Sequence, residues 1–134
     1  MDIETIALIA AVLFGLLAAL QVALALGAPL GHIVYGGRVA SAGEPLPGAW
    51  RVASGAAALV LVGFAWIILA RGGVLTTGVS STVVTVLAWM VVAYMAINTA
   101  MNLASRDPIE RYLLGGATAV LVGLCAIVAA AGPT

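Results

Sequence analysis

Residues 3–26, IETIALIAAVLFGLLAALQVALAL, carry one charge, Glu4, in the first turn and one amide, Gln21, toward the far end; Thr5 apart, the rest is apolar or small. At about 1.5 Å of rise per residue, such a run crosses the ~30 Å hydrocarbon core of a bilayer as a single helix. A helix that is apolar on every face belongs in a large core or in a membrane. The rest of the chain cannot supply the large core, because 64% of the 134 residues are hydrophobic and 7% are charged, against about 25% charged in an ordinary soluble domain. The chain reads as an integral membrane protein. The opening MDIET is acidic where the leading region of a secretory signal is basic, and the run exceeds the ~7–15 apolar residues of a signal core, so this helix is expected to be retained.

Moving outward from this run, charged residues divide the sequence into further apolar segments of spanning length. The expected architecture is all-α: four transmembrane helices at about 3–26, 52–70, 81–104 and 108–131, forming one integral membrane domain over residues 1–134. Asp107-Pro108-Ile109-Glu110 has the pattern of a helix start, with an N-cap, a proline at the first helical position and a glutamate at the third. The first connection opens with GAPLGHIVYGGR, residues 27–38, in which Gly27 and Pro29 disfavour further helix. Its apolar residues, with His32 and Arg38 among them, suit an interfacial or re-entrant segment.

Arginine placement sets the expected orientation, since basic residues in short loops decide topology. Arg38, Arg51, Arg106 and Arg111 flank the first and third connections, and Arg71 stands alone at the other side. The first and third connections are therefore expected in the cytoplasm and both termini outside, in an inner or plasma membrane. Small residues at every fourth position, from Ala7 through Gly15 and Ala19 to Gly27 and again from Gly115 to Gly123, suggest close helix packing.

Composition excludes several activities. The five arginines balance five acids, there is no lysine and no basic run, so nucleic acid is not an expected partner. Cys125 is the single cysteine, which removes disulfides and cysteine-cluster metal sites, and one histidine offers no ligand spacing. No cofactor, metal or catalytic motif is indicated. Within the spans no ionisable group stands between the flanking arginines, as proton-coupled transport would need. The neutral polar residues that remain are Gln21 and the stripe Tyr94, Asn98, Asn102, which share a helix face at intervals of four. They serve either as interhelical hydrogen bonds or as the wall of a polar pocket. His32, Arg51, Ser54, Arg106 and Glu110 complete a candidate binding set at the same end. An Arg51–Glu110 pair is expected to clasp the second helix to the fourth.

Gly27-Ala-Pro-Leu-Gly31, Gly36-Gly37, Leu46-Pro47, Arg51-Val-Ala-Ser54 and Asn102-Leu-Ala-Ser-Arg-Asp-Pro-Ile-Glu110 resemble the signature segments of a widespread group of uncharacterised small four-helix bacterial membrane proteins. The resemblance implies that Gly27, Pro29, Gly31, Gly36, Gly37, Leu46, Pro47, Arg51, Ser54, Asn102, Ser105 and Glu110 occupy signature positions. It implies no activity, leaves His32 outside the signature, and places Asp107 where the group carries serine. The leading reading is a non-enzymatic membrane protein, a homo-oligomer or the partner of another membrane protein. The alternative is a small membrane enzyme or lipid-binding protein acting on an amphipathic substrate at the cytoplasmic leaflet. An oligomeric channel lined by Asn98 and Asn102 ranks below both. Cysteine labelling in intact cells tests the orientation: an impermeant reagent should modify Thr134→Cys and spare Ser41→Cys, and the reverse pattern would invert the topology.

Overall fold

A computed structural model describes residues 1–133. Among them are four long helices and no strand: α1 Ile3–Ala25, α2 Gly48–Arg71, α3 Ser81–Leu103 and α4 Gly115–Ala131, the last preceded by a π-helical turn, Ile109–Leu114. Counting that turn with α4, each helix is long and apolar enough to cross a membrane. Neighbours run antiparallel: α1 packs along α2 and α4, α3 along α4, and α2 closes on α3. The end carrying the α1–α2 and α3–α4 connections is called here the loop end.

Local sequence sets each boundary. Asp2 caps α1 by accepting from Thr5 N at 2.8 Å, which holds the Asp2 carboxyl below the usual carboxylate range. At the other end Gly27, at φ +100°, lets the chain reverse, with Gly27 N donating to Leu24 O and Ala28 N to Ala23 O. This paired closure satisfies two helix-end carbonyls and requires a residue without a Cβ penalty in the left-handed region. Helix α2 begins at Gly48 rather than near residue 52, because Pro47 O takes the first helical bond from Arg51 N. Ser80 caps α3 through Val83 N. The start of the fourth span departs from the expected capping box. Asp107 does accept from Glu110 N at 3.0 Å, but Glu110 reaches across to Gly36 N, and Ser105 Oγ receives Asp107 N instead.

Buried positions recur at steps of three, four or seven, as in Ser54, Ala58, Leu61 and Ile68 on α2 and Val84, Ala88, Val91, Met95 and Thr99 on α3. That spacing keeps one seam facing a bundle axis. It also corrects the small-residue stripe. On α1 the enclosed residues are Ala7, Ala10, Phe14 and Ala18, whereas Gly15 and Ala19 are exposed and Gly15 has nothing within 4 Å. A four-residue repeat overshoots the 3.6-residue turn, so the stripe drifts off the core after Ala7. Gly123 on α4 faces outward in the same way.

The α1–α2 connection is a compact cap. Two 3-10 turns, Gly31–Ile33 and Tyr35–Gly37, fold around a second apolar cluster of Leu24, Ile33, Val34 and Leu46. Gly31 admits no larger residue, since a Cβ there would lie 2.8 Å from Ala40 Cβ and 3.1 Å from Leu46 N.

Helix ends are tied by arginines. Arg51, at the start of α2, donates from Nε to Ala25 O at the end of α1 at 3.0 Å. At the other end of α2, buried Arg71 donates Nε and Nη2 to Ala129 O of α4 and Nη1 to Pro133 O, at 3.1, 2.9 and 2.7 Å. Arg111 donates to Ser105 O, just beyond α3, at 3.0 Å. Arg51 and Arg71 sit at the negative ends of the α1 and α4 dipoles and satisfy carbonyls that lack a helical donor. Arg71→Met should destabilise the protein by about 1.5–3 kcal/mol, the scale of hydrogen bonds to a charged group, with Arg71→Lys intermediate. Thermal unfolding in detergent measures this, and an unchanged midpoint for Arg71→Met would show that the tie contributes nothing.

Candidate functional site

Between α2 and α3, at the loop end, the bundle is not filled. The cause lies in α2, where Ser54-Gly55-Ala56-Ala57-Ala58 presents no large side chain over more than one turn. A cavity of about 790 Å³ results. Ala57 and Leu61 of α2 and Tyr94, Asn98, Met101 and Asn102 of α3 form its sides, and Leu17, Leu20 and Gln21 of α1 with Thr118 of α4 form its back. Val34, Tyr35 and Gly36 lie across its loop end. At mid-bundle its Tyr94 wall is backed by edge-on aromatics, with Phe64 5.0 Å from Tyr94 and 6.0 Å from Phe14. Ile97 and Met101 line the cavity and are 64% and 67% exposed, so the space opens sideways onto the surface that the membrane covers.

Polarity varies along the cavity. Leu17, Leu20, Leu61, Met95 and Ile97 make one part apolar, and the polar groups gather toward the loop end. There Asn102 Nδ2 donates to Asn98 Oδ1 and to Thr118 Oγ1, each at 3.3 Å, and Thr118 returns its own proton to Leu114 O at 2.9 Å. These bonds tie α3 to α4 and hold the amides in place at the cavity wall. Gln21 Oε1 is enclosed with no hydrogen-bond partner among the described residues. A buried amide oxygen without a donor costs about 1–3 kcal/mol, so the site has unmet capacity for a donor.

The roof is under strain that its neighbours offset. Tyr35 sits at φ +53°, and Gly36 and Gly37 follow at +77° and +72°. A tyrosine in this region costs on the order of 1–3 kcal/mol. It is held there by its hydroxyl bonding Ser54 Oγ at 2.9 Å and by its ring lying 4.6 Å from that of Trp50. Gly36 fastens the roof to the opposite side of the bundle, its N–H donating to Glu110 Oε1 at 2.8 Å and its carbonyl accepting from Arg106 N at 3.2 Å. Glu110 is thereby a buried carboxylate at the cavity edge, turned inward by the π-helical turn, a feature frequent at functional sites.

Of the residues singled out in the sequence, Gln21, Tyr94, Asn98, Asn102 and Glu110 surround this one cavity. Ser54 lies behind it as the partner of Tyr35. Arg51 does not belong to it, nor does it clasp Glu110. The guanidinium lies over Gly27, 3.3 Å from where a Cβ would be, and bonds Ala25 O, while Glu110 bonds Gly36 N. Backbone groups at a helix end and in a strained loop have fewer alternative partners than two side chains, and they take both charges. His32 and Arg106 lie outside the cavity, in a groove of about 460 Å³ on the outer face of the cap with Arg38, Glu44 and Asp107. Tyr35, Arg38, Trp50 and Thr118 were not anticipated. The pair Ser54 and Gly55-Ala56-Ala57-Ala58 was the available signal, since a run of small residues opposite a polar stripe leaves a polar-walled gap.

No group of three or more metal-ligating side chains occurs among the described residues. No family model, no curated protein and no solved structure matches the chain.

Proposed function

We propose that this multi-pass membrane protein binds an amphipathic molecule, with an apolar chain entering sideways between α2 and α3 and a polar end resting against Gln21, Asn98, Asn102 and the cap. The observation that carries this reading is the graded cavity: it opens onto the membrane-facing surface beside Ile97 and Met101, and its polar groups, Tyr94 apart, gather toward the loop end. Apolar walls with a few placed polar groups are the usual composition of small-molecule sites. The cavity lies within the length of the spanning helices, where the surrounding medium itself supplies ligands with chains. Binding, rather than catalysis, is the function assigned. The arginine count at the two ends supports a cytoplasmic position for the loop end.

A partner-binding or oligomeric role rests on a different feature, the outward-facing Gly15, Ala19 and Gly123, which offer flat helix faces to a second membrane protein. It does not compete with ligand binding.

Native mass spectrometry of the protein released from mild detergent tests both. The wild type should retain a bound amphipathic molecule, and Ala57→Phe, which places a ring in the cavity, should release it while leaving the fold intact. Retention by Ala57→Phe at the wild-type level would remove the cavity as the site. The same spectra report mass, and a monomer under all conditions would end the self-association reading.

A further inference from the structure

The five arginines differ in what they touch. Arg51, Arg71 and Arg111 are each engaged with carbonyls at or just beyond helix ends. Among the described residues, the side chains of Arg38 and Arg106 donate to no atom of the chain. Both lie at the loop end, and both line the outer groove beside His32. Arg38 has a second surface. Its side chain folds over Gly36, with Nε 3.5 Å from where a Cβ would be, and it lines the intramembrane cavity as well as the groove. One guanidinium therefore borders both spaces, at the polar end of the cavity. Of the nearby carboxylates, Asp107 caps Glu110 N and Glu110 is buried beneath the roof on Gly36 N, while the exposed Glu44 shares the groove and leaves the two arginines with a single unengaged acid between them.

We infer that the amphipathic ligand bears a phosphate, held between Arg38 and Arg106 while its chain occupies the α2–α3 cavity. The inference rests on the binding reading above and names the head that this site selects. A guanidinium presents a planar fork of donors matched to phosphate oxygens, and Arg38, which borders the cavity, with Arg106 in the adjoining groove binds a phosphate more strongly than either alone. His32 lies on the wall of the same groove. Gln21, Asn98 and Asn102 then meet the ester or hydroxyl region between head and chain.

The test uses the full-length protein in detergent and three probes: dioctanoyl phosphatidate, dioctanoylglycerol, which lacks only the phosphate, and glycerol 3-phosphate, which lacks only the chains. Binding is read as the concentration dependence of the thermal unfolding midpoint. Phosphatidate should bind about tenfold or more tightly than dioctanoylglycerol, and glycerol 3-phosphate more weakly than phosphatidate. Arg38→Ala and Arg106→Ala, both at exposed residues, should each remove most of that preference and leave dioctanoylglycerol binding unchanged. Ala57→Phe, or the smaller Ala57→Leu should the first not fold, should weaken both lipids. Equal affinity for the two lipids would overturn the phosphate inference and leave the cavity reading standing. A phosphatidate preference that survives filling of the cavity would overturn it by assigning the arginines to the bilayer surface. Glycerol 3-phosphate binding as tightly as phosphatidate would assign them to a free phosphate compound instead. Failure of both lipids to bind would overturn the cavity reading itself.

Discussion

The last turn of every helix leaves carbonyl oxygens without a helical donor, and near a membrane those oxygens have few other partners to turn to. In this chain Arg51 and Arg71 meet that demand, and the arrangement of the bundle depends on it. Helix α2 carries one arginine at each end: Arg51 holds the end of α1, and Arg71 holds the end of α4. Because α1 is antiparallel to α2 and α4 is parallel to it, both contacts set a helix end of one neighbour level with an end of α2. Arg111 closes the short α3–α4 connection by bonding Ser105 O. The glycines beside these contacts follow from them. Gly27 leaves room for the Arg51 guanidinium, and a Cβ at Gly132 would strike Arg71 O.

With its ends pinned, the bundle cannot close wherever side chains are too small. The bulky half of α2, from Leu61 onward, fills the interior with Phe64 and Ile68, and there α2, α1 and α3 meet through the aromatic contacts of Phe64. In the half richest in glycine and alanine there is nothing to fill the space, and a cavity remains beside the polar stripe of α3. The same constraint thus produces the tight half, the open half and the boundary between them. It also leaves Arg38 and Arg106 over, the first beside the open half and the second in the adjoining groove.

Much of this was legible in the residues. Apolar runs between charges placed the four spanning helices, and Asp107-Pro108 placed the start of the last. The spacing of Tyr94, Asn98 and Asn102 placed three polar groups on one face, which lines the cavity. What the residues did not disclose has physical causes. A small residue every four positions looks like a packing face, yet the 3.6-residue turn carries Gly15 and Ala19 away from the core that Ala7 enters. Arg51 and Glu110 lie at a common depth with opposite charges, which suggests a pair. Their actual partners are backbone groups, and backbone hydrogen bonding is not written in side-chain identity. Tyr35 and Arg38 reach the cavity only because three successive left-handed residues fold the cap back over the bundle, and a sequence does not show where a loop of this length returns.

The central claim is that the gap between α2 and α3 is a binding site for a chain-bearing molecule rather than a packing defect. An experimental density map of the protein extracted with its surrounding lipids tests it most directly. The account predicts elongated density that is not protein, running between Ala57 and Met101, with its thicker end beside Asn102 and Arg38. A map in which α2 and α3 have closed together, with Ala57 packed on Asn98 and no space between them, would contradict it.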